Sequence, residues 1–414
     1  MALWIQKFGG TSVKDLDRIQ HAANIVIKAK ETGHDVVVVV SAMAGETDRL
    51  IKLAQALMLD PNPREYDALV STGEQVSAAL FSLALMSKGY CARSYNAGQV
   101  KIQTDGQHQR ARILEINTDN LRKDLTENCI PVVTGFQGVS EKGSITTFGR
   151  GGSDITAVAV AAALKADECQ IYTDVDGVYT SDPRVVPDAR RLEQVTFEEM
   201  LELASLGAKV LQIRSVEFAG RYNVPVRVLS SYEEGAGTLI TWEEKKMEKA
   251  TVSGIAFDRN QVQLTVRGIP HQPGLVSQLL APISDAEIEI DMIVQNLPNR
   301  ENMVDISFTL YRYDYKLAFE LCRETAKKLR AQDVVGNDKI AKLSVVGVGM
   351  RSHAGVAATM FRTLAKEGIN IHLIATSEIK ISVVIDEKYI ELGTRSLHSA
   401  FGLEKPSRED RIVK

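Results

Sequence analysis

Along the first 230 residues, short β-branched runs alternate with stretches whose apolar positions recur every three to four residues. L-W-I-Q-K-F at 3–8 reads as a strand, D-L-D-R-I-Q-H-A-A-N-I-V-I-K-A-K at 15–30 as a helix, and D-V-V-V-V-V-S-A at 35–42 as a buried strand. The alternation continues through a helix after Ser71, the strand I-P-V-V-T-G-F, a helix after Ser153 and the strand C-Q-I-Y-T-D-V. Near-continuous Val and Ile runs between helices predict a mostly parallel sheet covered on both faces. Beyond V-P-V-R-V-L-S-S, the charged run E-E-K-K-M-E-K at 243–249 reads as a solvated linker and marks a domain boundary.

After the linker the pattern repeats itself. Aligning Gly274 with Gly355 sets an offset of 81 residues, which also places Ile288 on Ile369 and Ile290 on Ile371. Each copy reads as strand, glycine turn, helix, strand and a second hairpin-like strand, a duplicated βαββαβ module. One such unit leaves an open sheet edge, so the two copies are expected to pair into one sheet. The expected domains are 1–242, a linker at 243–250, and modules at 251–340 and 341–414, with the strand 251–258 a candidate to pair with the second module.

Composition excludes more than it assigns. The chain has 414 residues, 44% of them hydrophobic and 25% charged, an ordinary globular balance with room for two or three domains. A formal net charge of −4 offers no attraction to nucleic acid or an anionic membrane. The start M-A-L-W-I-Q-K-F has no signal-peptide pattern, and the longest apolar runs are too short to span a bilayer. Cys91, Cys129, Cys169 and Cys322 lie scattered without a C-x-x-C, which predicts free buried thiols in a reducing cytoplasm. The seven histidines show no zinc spacing.

The candidate chemistry sits at turns following strands. T-T-F-G-R-G-G-S-D-I-T-A at 146–157 places Arg150, Gly151, Gly152, Ser153 and Asp154 before a helix pattern. Ser153 or Asp154 is its expected N-cap, and a glycine turn opening onto a helix N-terminus favours an anion. K-F-G-G-T-S at 7–12 sets Lys7 at a strand end, followed by Gly9, Gly10 and two hydroxyls, which suits phosphate oxygens; taken alone, a plain strand–turn–helix serves equally well. V-S-A-M-A-G-E-T at 40–47 offers Ser41 and Thr47 at a strand's carboxyl end, with a capping hydroxyl as the simpler account. S-T-G-E at 71–74 is either a capping box, with Glu74 reaching back to Ser71, or a cleft-facing acid for an ammonium group. T-D-V-D-G-V-Y-T-S-D-P-R at 173–184 is a surface turn by its D-G and D-P dipeptides, yet brackets Tyr179 and Arg184 with acids. V-V-G-V-G-M-R-S at 345–352 begins like a dinucleotide fingerprint, but Ser352 holds the third glycine position.

In this order and with this tail, the motifs resemble aspartate kinase, in its single-function form with two C-terminal ACT modules. The resemblance covers essentially the whole chain. It implies an amino-acid-kinase fold (α/β, a mostly parallel central sheet with helices on both faces) followed by two ferredoxin-like ACT domains. It implies transfer of the γ-phosphoryl of MgATP, the metal held mainly by the nucleotide, to the β-carboxylate of L-aspartate. On the matching positions, Lys7, Asp154 and Lys209 are implied catalytic residues. Ser41, Thr47, Glu74, Arg150, Gly151, Gly152, Ser153 and Asp154 are implied to bind aspartate. Lys7, Phe8, Gly9, Gly10, Ser12, Thr173, Asp174, Tyr179, Asp182, Arg184 and Lys209 are implied to bind the nucleotide. The ACT pair is implied to sense lysine, threonine or both through Gly274, Asp291, Gln295, Val356, Asn370, Ile371, Thr376, Ser377 and Glu378, and to hold a homo-oligomer together.

This chain departs from the family pattern in the first module. H-Q-P-G at 271–274 replaces the family's D-K-P-G or D-R-P-G, and I-E-I at 288–290 replaces I-N-I. His271 therefore stands where relatives carry an acid, and the identity and number of effectors stay open. Met247 marks where some relatives start a separate regulatory subunit. Another amino-acid kinase on the same fold, or a regulatory module with an inactive kinase domain, are the competing readings. A bifunctional kinase–homoserine dehydrogenase is excluded by length and by the missing dinucleotide fingerprint.

Overall fold

The computed structural model describes residues 2–206, 210–242, 252–352 and 355–405. Lys209, Met247 and the linker at 243–250 lie outside the described residues. The chain divides into two compact units, Met1–Val178 with Arg191–Lys246, and Tyr179–Arg190 with Met247–Lys414.

The first unit is built on an eight-stranded sheet. Its order runs Gln194–Thr196, Thr238–Thr241, Val226–Ser230, Glu168–Thr173, Leu3–Phe8, Asp35–Val40, Ile130–Thr134, Ala92–Tyr95. All neighbours are parallel except Val226–Ser230 against Thr238–Thr241. The helix Leu16–Glu31 starts where the Asp15 side chain accepts from Arg18 N, and it buries Ile19, Ala22, Ala23, Val26 and Ala29. Those residues share a core with Phe8, Val36, Val38, Val40 and Phe81 on one side of the sheet. On the other side lies Gly152–Leu164, a run of small side chains buried nearly throughout, as a helix enclosed by the domain requires.

A second, four-stranded sheet was not foreshadowed by the sequence pattern. It runs Ile113–Ile116, Ile102–Thr104, Gln137–Ser140, Ile145–Thr147, in strands of three or four residues. Strands this short carry too few alternations to register as a period. The last of them leads directly into Phe148, Gly149 and Arg150.

One further expectation is corrected. Cys91 and Cys129 form a disulfide, while Cys169 and Cys322 are free and buried. They stand just ahead of two adjacent parallel strands, where Ile130 N donates to Cys91 O, and their Cα atoms lie 4.6 Å apart. That proximity is a product of strand order, which the 38-residue separation does not reveal. The stretch Pro63–Met86, two helices meeting at Ser71, is long and apolar enough to cross a membrane; 56% of its apolar window is buried inside the fold.

In the second unit, the expected pairing of the repeats into one sheet is observed. Six strands run Ile290–Gln295, Met303–Tyr311, Gly254–Pro270, Asp333–Val346, Lys380–Asp386, Leu373–Thr376. The two long central strands serve both repeats. Gly254–Asp258 pairs with Lys342–Val346 of the second repeat, and Gln261–Pro270 pairs with the first repeat's Met303–Tyr311. Each repeat packs two helices on its half of the sheet, giving separate apolar cores around Leu264, Phe308 and Leu279 and around Leu343, Val383 and Met360. Gly274 and Gly355 occupy the same position in both, as left-handed N-caps of Leu275–Asp285 and Val356–Lys366. Within this unit the segment Tyr179–Arg190 is held by a hydrogen bond between Thr180 Oγ1 and His398 Nε2 (2.9 Å) and by Ile255 N donating to Thr180 O (2.8 Å).

Candidate active site

Lys7 is the penultimate residue of the central strand Leu3–Phe8, in register with Val39 on one side and Ile171 on the other. Side chains alternate along a strand, so Phe8 enters the core beside Phe81 and Tyr172 while Lys7 turns toward the opposite face. There its Nζ lies 2.5 Å from Asp154 Oδ1, and both residues are only 8% exposed. Strand and helix thus bring together two charges 147 positions apart in sequence, Lys7 and Asp154.

The start of the helix Gly152–Leu164 explains how Asp154 comes to be available. Neither Ser153 nor Asp154 caps it; the N-cap is Gly151, at φ 70°. A side chain there would meet Gln212 Cγ at 1.8 Å, so the turn depends on glycine. Beginning the helix at Gly152 moves Asp154 into the first turn and leaves its carboxylate for Lys7. Ser153 packs on Gly135, just past the strand Ile130–Thr134, where an added Cβ would lie 2.6 Å from the Ser153 side chain. Arg150 is exposed at the loop's crest.

Glu74 resolves its two readings. Ser71 makes no capping bond and its hydroxyl donates to Ala68 O. Glu74 is 3% exposed, and its Oε1 accepts from Ala42 N (3.0 Å), just beyond the strand Asp35–Val40. Its Oε2 is buried without a partner. Burial pushes its carboxyl up to about 7, against the smaller opposing effect of the Ala42 amide. A buried carboxyl oxygen without a partner is uncommon in a packed interior.

The remaining positions divide. Ser41 and Thr47 are half-buried in the turn and first helical residues after the strand Asp35–Val40, with Ser41 N donating to Phe8 O. Gly10 packs close to that turn; an added Cβ would lie 2.9 Å from Ala42 O. Gly9 N donates to Tyr172 O, and Ser12 is buried with its hydroxyl on Ser231 Oγ (2.8 Å). Thr173 ends its strand in the first unit and its hydroxyl donates to Asp174. Tyr179, Asp182 and Arg184 fall in the segment grouped with the second unit. Arg184 forks onto Asp182 at 2.7 and 3.0 Å, which holds the Asp182 carboxyl below its usual range.

Of the effector positions, Asp291 and Gln295 lie on the strand Ile290–Gln295, and Asp291 is ion-paired with the buried Lys342. Val356 opens its helix; Asn370 and Ile371 precede the strand Leu373–Thr376, which Thr376 ends; Ser377 and Glu378 follow in the turn, closed by Ser377 N donating to Lys380 O. His271 N donates to Asn302 O.

Three residues of this site were not picked out from the sequence. Thr134 ends its strand with a buried hydroxyl that has no partner. Asp67 holds Thr147, and Arg214 donates to the carbonyl of the next residue, Phe148. No motif marks them; for Asp67 a polar residue ahead of the apolar A-L-V of its helix was the only available signal.

The fold and the gathered charges define a class. The profile of the amino acid kinase family matches residues 2–230, and that of the ACT domain matches residues 343–401. The aspartate kinase of Pseudomonas putida is 60% identical over 99% of this chain and 100% of its own. The aspartokinase of Corynebacterium glutamicum is 46% identical over 97% of each. Among solved structures, E. coli aspartokinase III in complex with aspartate and ADP superposes with a TM-score of 0.81 at 28% identity, covering 96% of this chain and 99% of that one. The same enzyme in complex with lysine and aspartate gives 0.77, covering 97% and 99%. The chain belongs to the aspartate kinase family.

Proposed function

We propose that the protein phosphorylates the β-carboxylate of L-aspartate with MgATP, giving 4-phospho-L-aspartate, the first committed step toward lysine, threonine and methionine. What carries the reading is the Lys7–Asp154 pair at the end of the strand Leu3–Phe8 and the idle Glu74 oxygen beside the end of the adjacent strand Asp35–Val40, where open α/β sheets bind ligands. A carboxylate nucleophile is already ionised at neutral pH, so the site needs no general base. The work left to the protein is positioning and charge neutralisation.

In this reading Glu74 takes the α-ammonium and Arg150 forks onto a substrate carboxylate, with Ser41, Thr47 and Ser153 completing the polar lining. Lys7 neutralises charge on the transferring phosphoryl group, and Asp154 holds the Lys7 ammonium on station. Lys209, Thr173, Asp174, Tyr179, Asp182 and Arg184 complete the nucleotide set. Mg2+ enters with the nucleotide phosphates. The E. coli relative's complexes with aspartate and ADP, and with lysine, support both the substrate pair and lysine as an effector of the ACT unit. The ACT unit would also hold the homo-oligomer.

The test is ADP release across aspartate, glutamate and N-acetylglutamate, with lysine, threonine and both added. Aspartate-dependent turnover curbed by an effector is expected; preference for glutamate would overturn the assignment. Arg150→Lys, at an exposed position, should raise the aspartate KM and leave the ATP KM alone. An effect confined to ATP would remove Arg150 from the aspartate side.

A further inference from the structure

His398 lies on the helix Ile390–Ala400, whose buried face also carries Ile390, Gly393, Thr394 and Leu397. The residue is 2% exposed, and its Nε2 lies 2.9 Å from the hydroxyl of Thr180, which stands 218 positions earlier and is itself 0% exposed. A polar ring on an apolar helix face is tolerated when it is partnered. This one takes its partner from outside the two repeats, in the segment Tyr179–Arg190.

Thr180 is the point at which that segment is tied. Its N donates to Arg190 O (2.8 Å) and its Oγ1 accepts from Arg190 N (3.0 Å), which closes 180–190 into a loop. Its carbonyl accepts from Ile255 N (2.8 Å) on the strand Gly254–Pro270. Ile255 and Leu397 share the apolar core of the second repeat. A second group on the helix, Arg395 Nη1, reaches Val185 O at 3.5 Å. Asp182 and Arg184 sit inside the loop so closed, and Tyr179 directly precedes it.

We propose that His398 is a positioning residue for the nucleotide: by holding Thr180 it keeps the loop 180–190 in the conformation that presents Tyr179, Asp182 and Arg184 to ATP. The proposal rests on the reading of those three residues as nucleotide contacts. A loop binds only in its held conformation, so the apparent dissociation constant rises as the held fraction falls. Removing the imidazole leaves the buried Thr180 hydroxyl one partner short and favours the released loop. The Glu74 carboxyl is held by Ala42 N, outside this loop, so aspartate binding should not follow.

The experiment compares His398→Phe, His398→Gln, Thr180→Val and Thr180→Ser for the ATP KM, the aspartate KM and kcat. Titration calorimetry gives the ADP affinity, and circular dichroism confirms folding. His398→Phe, which keeps a ring without its nitrogens, and Thr180→Val should each raise the ATP KM and the ADP dissociation constant about fivefold or more, with the aspartate KM within about twofold. His398→Gln, whose amide reaches as far as Nε2, and Thr180→Ser, which keeps the hydroxyl, should recover most of the loss. Should His398→Phe not fold, Thr180→Val against Thr180→Ser decides. A folded His398→Phe with unchanged ADP affinity, or an equal rise in both KM values, overturns the proposal. Arg184→Ala, at an exposed position, separates the two levels. If it leaves the ATP KM and the ADP affinity unchanged, the reading of the loop as a nucleotide contact fails and this proposal with it. If it weakens both while His398→Phe does not, only the role of His398 falls.

Discussion

Lowering the pH from 8 to 6 should weaken aspartate binding about tenfold, through Glu74 alone. Burial holds that carboxyl up at about 7, and only its ionised form attracts an ammonium group. At pH 8 about nine-tenths of the free enzyme carries the Glu74 charge and at pH 6 about one-tenth, so kcat/KM for aspartate falls by about ten, or 1.4 kcal/mol. Aspartate's own charges do not change over that range. The substrate ammonium stabilises the carboxylate, so binding near pH 7 should also release a fraction of a proton. Titration calorimetry in two buffers of different ionisation enthalpy measures that fraction directly. The stability sign is opposite to that of a salt-bridged acid. Because the folded pKa lies above the unfolded value of 4.5, the folded state holds the extra proton between them, and unfolding free energy falls as pH rises through that window. A flat kcat/KM profile with no proton released, or a profile unchanged in Glu74→Gln, would refute the reasoning.

Lys7→Ala should lower kcat by orders of magnitude and also destabilise the protein, by about 3–5 kcal/mol, because it strands Asp154 in a buried site; a turnover number near that of the parent protein would remove Lys7 from the chemistry, and thermal unfolding reads the second effect. Substituting Asn370 or Glu378 by Ala should raise the concentration of lysine or threonine needed for half-inhibition tenfold or more, as measured by ADP release; unaltered inhibition by every effector would detach those positions from the sensor.

The strands Leu3–Phe8, Asp35–Val40 and Glu168–Thr173 were legible because parallel strands covered on both faces must be apolar throughout, a demand written locally. The duplicated module was legible for a similar reason, since both copies must place a left-handed glycine ahead of a helix. Lys7, Glu74, Arg150 and Asp154 stood out as charged residues at glycine turns, where core packing does not ask for them. Their partners did not. Nothing near Lys7 in the chain names Asp154, and nothing near Ser71 says that Glu74 forgoes a capping box for the Ala42 amide. The Cys91–Cys129 bridge, the small sheet that delivers Arg150, and the grip of Asp67 on Thr147 all depend on which strands become neighbours. Local sequence determines which residues are apolar, which turns need glycine and where a charge is out of place, because those demands act within a few residues. Which charges meet, and which buried oxygen is left idle, is decided by long-range packing, whose energy belongs to pairs that only the completed fold brings together.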